Sequence, residues 1–168
     1  MEIAFENLQK KVTLNPPQIL KTAATILRHE GVDNVSLSIV FVSRQRIQAL
    51  NKKFLGRDYA TDVLAFNLSE RRGTVPAFRR GKRRAPTVRN ARQIAGDIII
   101  STDAVVKNAR IYKTGLSEEL ALYVIHGILH LLGFDDHKTR DIQRMRKKEQ
   151  QLLMFLGITT KKLIRHNK

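Results

Sequence analysis

The chain contains no cysteine and no tryptophan, four prolines, and 15 acidic residues against 31 basic ones. Without cysteine there can be no disulfide framework, no thiolate nucleophile and no Cys-ligated zinc or iron–sulfur site. The same absence suits a reducing compartment such as the cytoplasm. No apolar stretch is long enough for a membrane span: the longest, Leu120 to Phe134, contains two histidines and reads as a buried helix. The start, MEIAFENLQKK, carries Glu2 and Glu6 and no apolar run, so no secretory signal is expected. The shortage of acid leaves a net charge of 31 − 15 = +16 with His neutral. A surplus of that size calls for an anionic partner, nucleic acid before a membrane surface.

What is present describes a globular chain. Of its 168 residues, 42% are hydrophobic and 27% charged. A chain of this length forms one domain and buries roughly two-thirds of its unfolded surface. Ile3–Leu8 alternates as a first strand. Pro16-Pro17 starts a helix that carries Ile19, Leu20, Ala23, Ala24, Ile26 and Leu27 to about His29. Leu37–Val42 is β-branched and reads as a strand. Ser43 caps a helix with Ile47, Leu50 and Phe54 on one face. Val63–Phe66 and Asp97–Ser101 are short strands. Helices follow from Thr102 to about Tyr112, from Ser117 to Leu132, and from about Thr139 to Leu156. The order β-α-β-α-β-β-α-α-α predicts a single α+β domain with a small mixed sheet packed by helices around a central His-bearing helix.

Two segments stand apart by charge. Residues 71–92 hold nine basic residues and no acid, with Gly73, Pro76, Gly81 and Pro86, and predict a basic loop insertion over about 69–95. A basic C-terminal tail covers about 158–168. Two basic runs in so positive a chain favour nucleic acid over a merely solvated face. Arg79, Arg80, Lys82, Arg83, Arg84 and Arg57 are the candidate RNA-binding residues. Aromatics make up 6% of the chain, so shape and backbone contacts should outweigh base stacking.

Of five histidines, His126, His130 and His137 fall within twelve residues. His126 and His130 are four apart on the apolar helix, which places both imidazoles on one face, one turn apart, where they can share a metal ion. Gly133 then breaks the helix, and Asp136 and His137 follow. The spacing repeats the layout H-x-x-x-H-x-x-G-x-x-H/D. Three protein ligands and an open position are the arrangement of catalytic zinc, which lowers the pKa of its water to about 7. A zinc peptidase of the usual kind carries Glu directly after the first His; here that residue is Gly127, where a close helix contact needs no side chain.

The run His126-Gly127-Ile128-Leu129-His130-Leu131-Leu132-Gly133-Phe134-Asp135 resembles the hallmark of the YbeY family of metal-dependent endoribonucleases. Leu50-Asn51, Gly56, Asp58 and Thr61-Asp62-Val63-Leu64-Ala65-Phe66 are similar to a second family block, and Gly96-Asp97-Ile98-Ile99-Ile100-Ser101 to a third, so the resemblance spans about 35–156. It implies a hydrolase of RNA phosphodiesters that works in ribosomal RNA processing, small-subunit 3′ end maturation and ribosome quality control. It also implies one Zn2+ per chain, ribosomal RNA or ribosomal particles as partner, a cytoplasmic location, no membrane and no small organic cofactor. His126 and His130 would be ligands. The third falls by spacing on Asp136 and by residue type on His137. The general base is open, with Asp62 and Asp97 as candidates. Leu55 stands where the family commonly has Arg, and Arg57 is two places on. That difference keeps a second reading in view, a non-catalytic ribosome-assembly factor with a structural metal.

Overall fold

The computed structural model describes residues 1–68 and 93–158. Nine elements follow in the expected order: β1 (Glu2–Asn7), α1 (Pro16–His29), β2 (Asn34–Val42), α2 (Arg44–Leu55), β3 (Val63–Asn67), β4 (Gln93–Ser101), α3 (Thr102–Tyr112), α4 (Leu116–Leu131) and α5 (Thr139–Phe155). The fold is α+β. Short polar side chains start the first three helices: Asn15 accepts from the Gln18 amide before α1, Ser43 from Arg46 before α2, and Ser101 from Ala104 before α3.

The sheet has the order β1-β2-β4-β3. β1, β2 and β4 run parallel, and β3 returns antiparallel along β4. β2 and β4 begin earlier than their apolar runs suggest, paired from Asn34 and Gln93 onward. Buried Val35 and Ile94 extend the inward alternation, so the ladder continues under polar outward residues. Gln93, Ile94 and Ala95 therefore belong to the sheet, and the rest of the expected insertion lies outside the described residues. The expected RNA-binding residues Arg79, Arg80, Lys82, Arg83 and Arg84, and the tail beyond Ile158, lie outside the described residues.

The two sheet faces carry different cores. Leu37, Ile39 and Phe41 of β2 and Ile98 and Ile100 of β4 face the main core with α1, α4 and α5. Val42, Leu64 and Ile99 face a smaller cluster under α2, around Ile47. Phe54 does not join that face. It is 54% exposed and meets the Phe66 ring, centroids 5.4 Å apart, with Lys53 Nζ 5.5 Å from its own centroid.

α4 runs through the middle of the main core, packed against α1, α3, α5, β3 and β4. Its approach to the sheet depends on Gly127. A Cβ there would overlap the Ile98 side chain of β4. Gly96 answers from the strand, where a Cβ would press on the Phe66 carbonyl and Leu131. Among the described residues, no helix is long and apolar enough to cross a membrane.

Candidate metal centre

α4 is held at its start by Glu118, whose Oε2 accepts the Gly115 amide at 2.9 Å. From Leu120 to Leu131 nearly every side chain is buried, and His126 and His130 break the pattern on one face. Their rings meet edge to face, centroids 4.6 Å apart. The two Nε2 atoms are 3.0 Å from one another. Gly133, at φ 89°, ends the helix in a conformation that other residues adopt only under strain. The chain then turns back across the helix end. Asp135 shapes that turn: its Oδ1 accepts from the amides of Asp136 at 2.7 Å and His137 at 3.2 Å. The turn directs Asp136 at the histidines, its Oδ2 lying 3.9 Å from His126 Nε2 and 3.7 Å from His130 Nε2.

The ring nitrogens that face away are both engaged. His126 Nδ1 lies 2.7 Å from Glu149 Oε1 of α5, and His130 Nδ1 lies 3.1 Å from the Phe134 carbonyl oxygen. An anionic or carbonyl acceptor places the proton on Nδ1 and leaves the Nε2 lone pair facing the centre. Burial lowers the His130 pKa, the neighbouring His126 adds to the effect, and Asp136 opposes it. His130 is therefore neutral near pH 7, the state in which imidazole binds a metal.

Two imidazole nitrogens and one carboxylate oxygen, all within a few ångströms of one another, could hold one divalent ion. Metal–ligand bonds of about 2.0–2.2 Å require ligand atoms roughly 3–3.5 Å apart in a tetrahedron. The observed 3.0 to 3.9 Å needs only a small inward movement of the half-buried carboxylate. The histidine side chains keep 20% and 26% of their surface open, so solvent reaches the centre.

His137 is not part of this group. It is more than half exposed and faces the other side of the acidic pair, 3.7 Å from Asp135 Oδ1 and 3.7 Å from Asp136 Oδ1. Asp97 sits mid-strand in β4 rather than at its start, with the outward parity of Ile99, so it faces the α2 side and not α4. Asp62 precedes β3, and its carbonyl accepts the Ser101 amide at 2.9 Å. Burial, foremost, raises the pKa of Tyr123 on α4, and the Asp62 and Glu119 charges raise it further. Arg57 lies in the exposed turn after α2, near the Tyr59 hydroxyl at 3.4 Å. That turn is pinned by buried Asn51, which donates to the Tyr59 carbonyl at 2.8 Å.

A family model described as Endoribonuclease YbeY matches residues 4–157. This chain belongs to the YbeY family. Among curated YbeY relatives, each named "Endoribonuclease YbeY", that of Alkaliphilus metalliredigens is 32% identical over 94% of this chain and 97% of its own. That of Syntrophus aciditrophicus is 34% identical over 93% and 90%, and that of a Thermoanaerobacter strain 34% over 94% and 99%. The solution structure of TM1509 from Thermotoga maritima is similar in fold, with a TM-score of 0.52, 23% identity and coverage of 92% of this chain and 91% of that one.

Sequence reasoning did not find Glu149. A signal was there: Met145, Leu152 and Leu153 form the buried stripe of α5, and position 149 falls inside it. A carboxylate within an apolar stripe requires a buried partner.

Proposed function

We propose that this protein is a metal-dependent endoribonuclease that cuts single-stranded RNA during ribosomal RNA processing, including maturation of the small-subunit 3′ end and ribosome quality control. The observation that carries this reading is the convergence of His126 Nε2, His130 Nε2 and Asp136 Oδ2 on one solvent-reachable point. Those three residues are the proposed ligands of one Zn2+ per chain, with His137 as the alternative third ligand. The same donors suit ferrous iron, and metal analysis of the purified protein names the ion. When bound, such an ion supplies Lewis acidity, which acidifies water and draws charge from a phosphate oxygen.

The chain's own groups do the rest. Glu149 and the Phe134 carbonyl orient the two imidazoles. Burial keeps His130 neutral and available. Arg57, with Arg79, Arg80, Lys82, Arg83 and Arg84, would hold RNA phosphates. The proton acceptor is open between Asp62 and Asp97, of which Asp97 faces the α2 side of the sheet. Ribosomal RNA or ribosomal particles in the cytoplasm are the proposed partners.

The test is cleavage of single-stranded RNA by wild-type protein and by His130→Ala. The variant should lose bound metal and cleavage while still binding RNA. Equal cleavage by both would mean that another nuclease is responsible. Leu55 in place of the family's Arg favours one other reading, a non-catalytic ribosome-assembly factor. In that case the metal-loaded protein never cuts precursor RNA under single-turnover conditions, and removing the metal unfolds it.

A further inference from the structure

We propose that Glu149 is a positioning residue of the metal centre, accepting the His126 Nδ1–H so that Nε2 is presented to the ion, and that docking of α5 is thereby coupled to metal binding. The inference rests on the metal-centre reading above.

All three proposed ligands come from α4 and the turn after it. Glu149 comes from a different helix, 23 residues along the chain from His126. Its Oε1 approaches Nδ1 at 2.7 Å, short enough for a charge-assisted bond, and its side chain is only 14% exposed. An imidazole on an isolated helix rotates about its side-chain bonds and exchanges tautomers. A fixed carboxylate behind it removes both freedoms and makes the coordinating nitrogen more basic.

The adjacent residue fixes the same stretch of α5 to the C-cap of α1. Lys148 Nζ reaches Glu30 Oε1 at 2.8 Å. Below these contacts, Met145, Leu152 and Leu153 are buried in the main core. α5 therefore holds its carboxylate at a set depth. A ligand that favours one orientation of His126 also favours the docked position of α5, by the same free energy in both directions.

Three measurements on the full chain test this. Zinc affinity comes from competition with a chromophoric chelator. Glu149→Ala should weaken it 10- to 100-fold. Glu149→Gln, which can still accept from Nδ1, should fall between Ala and wild type. Nitrogen NMR of His126 in metal-free protein should report Nδ1–H in wild type and loss of that preference in Glu149→Ala. Hydrogen exchange of wild-type protein, with and without zinc, should show slower exchange around Glu149 in α5 as well as in α4; this arm requires no variant to fold. If wild type binds zinc while Glu149→Ala binds it equally well, or zinc protects only α4 and residues 133–137, the proposal is overturned and the metal reading stands. If wild-type protein takes up no zinc, both fall.

Discussion

Gly127 of α4 faces Ile98 of β4 so closely that the sheet leaves no room for a side chain at that position. The position after the first histidine, which carries the general base in zinc peptidases, therefore points into the core and away from the ligands. Gly127→Ala would gain helix propensity of about 1 kcal/mol but overpack a β-branched side chain that cannot swing aside, at about 1–3 kcal/mol. The net expectation is a loss of up to about 2 kcal/mol, read as a lower urea midpoint. Gly127→Glu should be worse and should give no peptidase activity on casein.

Asp136 and His137 are adjacent, yet only Asp136 lies within reach of both Nε2 atoms. Asp136→Ala should weaken zinc binding at least 100-fold. His137→Ala should leave it within about threefold, since that ring is exposed and turned to Asp135. Zinc content after dialysis checks both. The opposite order would transfer the third position to His137.

Acid should loosen the α1–α5 clasp. Burial works to raise the Glu30 carboxyl, but hydrogen bonds from Lys148 and His29 outweigh it and hold the pKa below its ordinary 4.5. A depressed carboxylate contributes stability above its unfolded value and loses it as pH falls through the folded one. Lys148→Ala should thus cost metal-free protein roughly 1 kcal/mol at pH 7. The gap from wild type should begin to close as pH drops below the ordinary 4.5 and narrow further as pH falls through the lowered folded value. Urea titrations at pH 7, 5 and 3.5 measure it.

RNA affinity should fall steeply with salt, because each phosphate neutralised releases counterions. Replacing Arg79, Arg80, Lys82, Arg83 and Arg84 with Ala removes five charges. If all five contact single-stranded RNA, the slope of log K against log salt should flatten by about 3.5. Zinc content should not change. An unaltered slope would place the RNA on another surface.

The sequence by itself determined the element order, the helix starts and the pair of imidazoles on α4. Each of these depends on chemistry within a few residues: a cap oxygen three residues from its amide, an apolar repeat, two side chains one turn apart. Asn15, Ser43 and Ser101 cap their helices by that local rule. Tertiary structure decided which donor of the turn meets the pair, because the Gly133 backbone and the Asp135 hydrogen bonds, not residue type, aim Asp136 inward. It also decided that Asp97 faces α2, since strand parity acquires direction only when the sheet is packed on both sides. Glu149 was beyond local reading for the same reason: its partner is 23 residues away, and only the docking of α5 on α4 brings the two together.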